Sequence, residues 1–500
     1  MEVLAGITQG FAVALQPANL LWCFAGVFLG TLIGILPGLG PPATIAMLLP
    51  LTFQMPPAGA MIMLAGIYYG AKYGGSTTSI LLNVPGESAS VVTCLDGYQM
   101  ARKGRAGAAL GIAAIASFVA GTVGVLGLML VAPPLAKFAL SFSAPEYFAL
   151  MSLGLAMVAL LAGRSLVKAL LAALIGLWLA GIGTDLFSSV SRFTFGRMEL
   201  LSGVGFVVVA IGVFALGEVL ALAESPAGGQ RLPVPTGLRN LLPTLQDLKD
   251  CRFAFVNGSV TGFLVGMLPG AGSTIASFLS YGLEKAVSRR PGQFGTGVPE
   301  GVAAPEGANN SETGGALVPL LTLGIPGSAT ASILLAALVL WGLRPGPLLI
   351  QDHPDLFWAL VASMYIGNLV LLILNLPLVP LFAQVLRLPA YVMVPVILGV
   401  SIVGVYSDSG SLFALSLLLG FGLLGYLMRK LDFPAAPLIL GLALGGGLER
   451  ALRQSLMMSE GSLAILVSRP ISAVLLALAI LVLLIPLFGK LNAWRLKALE

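Results

Sequence analysis

The sequence predicts an all-α polytopic membrane protein with about 11–14 membrane elements, arranged as two inverted-topology repeats with Gly/Pro-broken helices or re-entrant hairpins. Three observations carry that prediction. Of 500 residues, 57% are hydrophobic and only 9% charged, with a mean hydropathy of +0.99. A soluble domain carries about 25% charged residues, so this chain cannot clothe a water-facing surface. Uncharged stretches long enough to cross a bilayer recur from end to end. One set of motifs also occurs twice, about half a chain apart.

In the first half, uncharged stretches cover residues 3–71, 106–136, 147–163, 169–184 and 200–217. In the second they cover 253–283, 313–343, 356–386, 388–407, 409–428, 433–448 and 470–489. Several exceed one helix, so discontinuous elements are expected. The organisation expected is a first membrane repeat at 1–224, a cytoplasmic linker at 225–252, a second repeat at 253–489 and a cytoplasmic tail at 490–500. The N-terminus, MEVLAGITQGFAVALQPANL, lacks the basic start of a signal peptide and reads as part of the first membrane element.

Loop charge orients the chain. With Arg102, Lys103 and Arg105 inside, counting crossings places Arg164, Lys168, the 225–252 segment, Arg387, Arg429, Lys430 and the C-terminal tail inside as well. Asp185, Asp352, Asp355 and Asp408 fall on the other side. Arg192, Arg197, Arg450, Arg453 and Arg469 also fall outside, against the bias.

The net charge of +5 does not imply nucleic acid, because the basic residues sit in short loops between apolar spans. Cys23, Cys94 and Cys251 lie far apart with no CxxC, which supports neither a disulfide framework nor a zinc site. A single histidine, His353, excludes a multi-His metal centre. Gly38-Leu39-Gly40-Pro41-Pro42-Ala43 imitates a dinucleotide loop, but no strand precedes it, and no GxxxxGK[ST] loop exists. A membrane-embedded enzyme would need a nucleophile–base or metal constellation that these residues do not offer.

The repeat is explicit. Gly30-Thr31-Leu32-Ile33-Gly34-Ile35-Leu36-Pro37-Gly38-Leu39-Gly40 matches Gly262-Phe263-Leu264-Val265-Gly266-Met267-Leu268-Pro269-Gly270-Ala271-Gly272. Gly74-Gly75 leading to Val84-Pro85-Gly86 matches Gly314-Gly315 leading to Ile325-Pro326-Gly327, and Pro145-Glu146-Tyr147 is echoed by Pro389-Ala390-Tyr391. The segment after the first Pro-Gly break carries Arg102, Lys103 and Arg105, whereas its counterpart, 344–355, is nearly neutral and holds Asp352 and Asp355. This charge asymmetry favours equivalent segments facing opposite sides, as in an inverted repeat, over a parallel repeat.

Each copy thus carries two Gly/Pro breaks in membrane-buried sequence. Proline lacks an N–H and clashes with the preceding turn, while glycine tolerates positive φ. Broken backbone at membrane depth is tolerated where it is buried in protein or lines a cavity. Freed N–H groups at half-helix N-termini suit a small-molecule carboxylate, and freed carbonyls suit Na⁺. A plain proline kink is the structural alternative; four breaks at matching places favour a site. The residues expected to bind substrate are Pro37, Gly38, Gly40, Lys72, Ser76, Thr77, Thr78, Asn83, Pro85, Gly86 and Ser88 in the first copy. In the second they are Pro269, Gly270, Gly272, Ser273, Thr274, Asn309, Asn310, Ser311, Thr313, Pro326, Gly327, Ser328 and Thr330. Lys72, which ends a long uncharged stretch, is expected either as counter-charge to a carboxylate or as a side chain snorkelling to an interface. Glu87, Glu306 and Glu312 gather beside the same breaks.

At these residues the sequence resembles the large membrane subunit of the tripartite tricarboxylate transporters. The resemblance rests on GTLIGILPGLGPPATIAMLLPLTF, YYGAKYGGSTTSILLNVPGESASVVTCLDGYQMARKGRAG, SAPEYFAL, GFLVGMLPGAGSTIASFLSYGLEK and PEGVAAPEGANNSETGGALVPLLTLGIPGSATASILLAAL, and covers essentially the whole chain. It implies a bacterial inner-membrane permease that works with a small membrane subunit and a periplasmic solute-binding protein. It further implies import of citrate-like tricarboxylates or other carboxylates, driven by a Na⁺ or H⁺ gradient and without a cofactor. An anion channel or passive pore is the competing expectation.

Overall fold

The computed structural model describes residues 2–36, 39–161, 165–185, 187–224, 241–270, 272–375, 377–378 and 390–497. The fold is all-α. Among the described residues the only sheet is a two-residue hairpin, Gly183–Thr184 with Ser191–Arg192. Leaving aside the shortest turns, the first half comprises α1 (Glu2–Ala14), α2 (Pro17–Gly34), α3 (Pro41–Leu48), α4 (Pro57–Leu82), α5 (Ala106–Ala139), α6 (Ala144–Leu161) and α7 (Leu166–Ala180). It closes on α8, which runs from Phe206–Ala210 through a π turn into Gly217–Glu224. The second half comprises α9 (Arg252–Gly266), α10 (Gly272–Val287), α11 (Glu300–Leu323), α12 (Ala329–Leu340) and α13 (Pro354–Asn375). It ends with α14 (Ala390–Ser409), α15 (Leu412–Lys430), α16 (Ala435–Met458) and α17 (Pro470–Lys497).

Among the described residues, five helices are long and apolar enough to cross a membrane: α2, α5 with its lead-in from Ala101, α13, α15 and α16. Seven shorter apolar helices accompany them. The two most buried helices, α4 and α11, are not among the five. They carry the polar residues, and every residue of α11 from Glu300 to Thr322 is buried. The sequence predicts a span beginning at 313, after the last acid. The structure instead starts α11 at Glu300, because its three acids are met from within: Glu300 by Arg290, Glu312 by Lys72 and Glu306 by hydroxyls. Polar helices are thus kept from lipid by a jacket of apolar ones.

Glycines decide how those two helices are packed. In α2, a Cβ at Gly26, Gly30 or Gly34 would sit 2.2, 2.5 or 2.3 Å from the carbonyl oxygen of Met63, Ile67 or Ala71. In α9, a Cβ at Gly258, Gly262 or Gly266 would sit 2.8, 2.3 or 2.5 Å from that of Ala304, Ala308 or Glu312. Residue numbers rise together in both sets, so α2 runs parallel to α4 as α9 does to α11. Only glycine permits backbones this close.

The halves also exchange helices. α5 packs on α11, and its counterpart α13 packs on α4; α7 packs on α16, and its counterpart α15 packs on α8. The equivalent helices α4 and α11 pass one another antiparallel, with Tyr68 and Lys72 reaching Glu312 and Ser76 reaching Glu306. At one end of the molecule Asp185 joins Arg192 and Arg453, which also pair with Glu449 of α16. The Phe187 and Ser188 N–H groups, with Arg453, hold the Asp185 carboxyl down at about 2.

Candidate functional site

The two breaks of each copy have distinct shapes. Between α9 and α10 the chain makes a hairpin: the Asn257 amide donates to the Ser280 carbonyl at 2.8 Å and to Glu284 at 3.0 Å, so α10 returns along α9. Its tip carries Pro269, Gly270 (φ +83) and Gly272 (φ +61), conformations that suit glycine. After α4 and α11 the chain instead doubles back. The reversal is made at Asn83 (φ +57) and Gly324 (φ +71), equivalent left-handed helix caps. Gly86 then lies against its own helix, where a Cβ would be 2.4 Å from Gly75 Cα; at Gly327 it would be 3.1 Å from Ala316 Cα. Pro85 and Pro326 sit in these returning segments, where each lacks an N–H to donate.

The breaks converge. The Gly270 N–H donates to the Gly327 carbonyl at 2.8 Å, joining both breaks of the second copy. A Cβ at Gly86 would be 3.0 Å from the Gly34 carbonyl oxygen, which ties together those of the first. Ser88 and Thr274 share a hydrogen bond of 2.7 Å, and Tyr68 and Ser328 one of 3.2 Å, each between copies. Between them lies a cavity of about 860 Å³, within the usual range for small-molecule sites. Matching residues of both copies line it: Gly40 with Gly272, Pro41 and Pro42 with Ser273 and Thr274, Glu87 with Ser328, and Ser88 with Ala329. Gly270, Thr330 and Ser332 complete the polar side.

Three helices, α3, α10 and α12, begin at this cavity. First-turn N–H groups have no intrahelical acceptor, and the positive ends of the helix dipoles lie there. The copies are unequal, however. Pro41 and Pro42 occupy the first two positions of α3 and have no N–H, whereas Ser273 and Thr274 supply both N–H and hydroxyl groups.

Beneath the cavity lies a buried polar network between α4 and α11. The Lys72 ammonium donates to Glu312 Oε2 and to the Asn309 carbonyl, both at 2.6 Å. Both side chains of the ion pair are fully buried. Glu306 accepts from the Ser76 and Thr93 hydroxyls, and the Asn309 amide donates to Glu87 at 2.7 Å. Lys72 is therefore turned to a neighbouring acid and does not line the cavity as a free counter-charge.

Of the residues predicted for the site, Gly40, Ser88, Gly270, Gly272, Ser273, Thr274, Ser328 and Thr330 line the cavity. Lys72, Ser76 and Asn309 belong to the network beneath it. Pro85, Gly86, Pro269, Pro326 and Gly327 build the breaks. Thr78 donates to the Ile35 carbonyl, Asn310 to Ser117 and Ser311 to the Ser259 carbonyl, which are packing contacts away from the cavity. Thr77 and Thr313 are buried outside the cavity lining, and Asn83 is an exposed helix cap. Pro37 and Gly38 lie outside the described residues. Sequence reasoning missed Tyr68, Phe214, Glu218 and Leu440 in the lining. Only Glu218, an acid directly ending an uncharged stretch, carried a visible signal.

A cavity walled by broken helices from two related halves, inside an all-α membrane fold, is the construction of a membrane transport protein. The chain belongs to the tripartite tricarboxylate transporter TctA family, which it matches over residues 20–440. It is 46% identical over 495 residues to an uncharacterized 52.8 kDa protein in the TAR-I ttuC' 3' region of Agrobacterium vitis, covering 99% of this chain and 98% of that one. A second protein of the same organism, from the TAR-II ttuC' 3' region, is 41% identical over 234 residues, which is 47% of this chain and 97% of that one. No solved structure matches the chain.

Proposed function

We propose that this chain is the large transmembrane subunit of a binding-protein-dependent secondary transporter that imports citrate-like tricarboxylates or related carboxylates. A Na⁺ or H⁺ gradient drives it across the bacterial inner membrane, and a small membrane subunit and a periplasmic solute-binding protein complete the system. The C-terminus lies in the cytoplasm, and the chain catalyses no covalent chemistry. The observation that carries this reading is the meeting of three helix N-termini on one cavity, lined by Ser273, Thr274, Ser328 and Ser88. Such donors suit carboxylate oxygens without a fixed cation. The antiparallel passage of the equivalent helices α4 and α11 supports an inverted repeat, with the cavity at the axis between its halves.

The test is uptake of labelled citrate and a panel of other carboxylates into membrane vesicles containing this chain and its partner subunits. The Na⁺ and H⁺ gradients are collapsed separately. Saturable accumulation above the external concentration, lost with one gradient, is expected. Equilibration without accumulation would show a passive anion pore.

A further inference from the structure

The cavity that receives an anion in this reading has an acidic wall. Its lining includes two acids, Glu87 and Glu218, and no lysine or arginine among the described residues. Glu218 is paired with Arg429. Glu87 makes no ion pair of its own: the nearby Lys72 donates to Glu312 and to the Asn309 carbonyl. The Glu87 carboxylate is held by neutral donors, the Asn309 amide at 2.7 Å and the N–H of Ser90 in its own capping turn. With Glu306 and Glu312 close by, three carboxylates share one ammonium in a buried cluster. An incoming carboxylate would add to a charge already in excess.

A second observation shows what is missing. Asn309 Oδ1, on the same carboxamide that donates to Glu87, is buried and has no hydrogen-bond donor. Glu312 Oε1 in the same cluster is buried without a donor as well. Buried acceptors are ordinarily satisfied. Unsatisfied oxygen acceptors beside a carboxylate without an ion pair suit a small hard cation.

We infer that Glu87 and Asn309 Oδ1 hold a sodium ion at the cavity wall, and that this ion must bind before a carboxylate can. The inference rests on the proposed transport function and deepens it: cation and anion travel together because the empty site repels the anion alone. No covalent step is involved. Glu87 is then a positioning and charge-gating residue, and the anion is gripped by the helix ends opposite.

Purified chain in lipid nanodiscs tests this with two readouts. Thermal unfolding in NaCl against KCl at equal ionic strength, with no carboxylate present, is expected to show stabilisation by Na⁺ in the natural chain. Glu87→Gln should lose that stabilisation, whereas Glu87→Asp, which keeps the charge, should retain part of it. Calorimetric titration with citrate should show affinity rising about tenfold or more as Na⁺ replaces K⁺, and a citrate affinity in Glu87→Gln that no longer responds to Na⁺. A sodium response surviving in Glu87→Gln, or absent from both the natural chain and Glu87→Asp, overturns the site. Citrate affinity that follows pH and ignores Na⁺ overturns it too, and assigns the role to a proton. A sodium response at Glu87 with no carboxylate binding of any kind leaves the cation site standing and defeats the transport reading instead.

Discussion

Lys72 and Glu312 occupy matching places, each two residues before the Gly-Gly pair of its copy, and each is the other's partner at 2.6 Å. In the proposed inverted repeat, a contact between equivalent residues lies on the axis that relates the two copies. Fully buried ions are costly to desolvate, and stranding one by removing its partner costs about 3–5 kcal/mol. Lys72→Met and Glu312→Gln should each lower the melting temperature of purified protein markedly. The charge-swapped double variant, Lys72→Glu with Glu312→Lys, should recover part of the loss, because it again sets one buried ammonium against one buried carboxylate. A double variant no better than the worse single one would show that the neighbours, Tyr68 and the Asn309 carbonyl among them, fix which position carries which charge. The sequence exposed both residues as ionisable groups in membrane-buried surroundings. It could not show that one answers the other across 240 positions, and so Lys72 reads there as a free counter-charge or a snorkelling side chain.

At the scale of elements, the spacing of glycine decides which helices touch. Gly30 and Gly262 are equivalent, and each faces a carbonyl oxygen closer than a Cβ allows. Gly282 on α10 has nothing within 4 Å. Gly30→Ala and Gly262→Ala should therefore destabilise by about 1–3 kcal/mol through overpacking. Gly282→Ala should be neutral or stabilising by about 0.5–1 kcal/mol through helix propensity. Melting temperatures of the three variants check the contrast; equal effects at all three would mean that glycine acts here through propensity alone. Apolar run length and the Gly/Pro breaks made the outer helices and the interruptions legible. The extent of α11 was not, because its acids interrupt the uncharged run, and their satisfaction by Arg290, Lys72, Ser76 and Thr93 is visible only in the fold. The doubling-back at Asn83 and Gly324 was hidden for a related reason. A proline-glycine pair reports that a helix stops, and the direction taken next depends on the left-handed residue before it.

At the scale of the whole molecule, two related halves exchange helices so that neither is complete alone. α5 of the first covers α11 of the second, α13 of the second covers α4 of the first, and all four break regions meet between them. The cavity is thereby made jointly, with the helix ends of the second copy richer in donors than the proline-capped α3 of the first. The central claim is that an anion sits between the copies and touches both. It is tested most directly by thiol labelling of Ser88→Cys and Thr274→Cys, introduced singly after replacement of Cys23, Cys94 and Cys251. These side chains face each other at 2.7 Å, one from each copy. The account predicts that both cysteines react with a small polar thiol reagent and that the transported carboxylate slows both reactions over the same concentration range. Protection of only one, or of neither while uptake saturates, would contradict it.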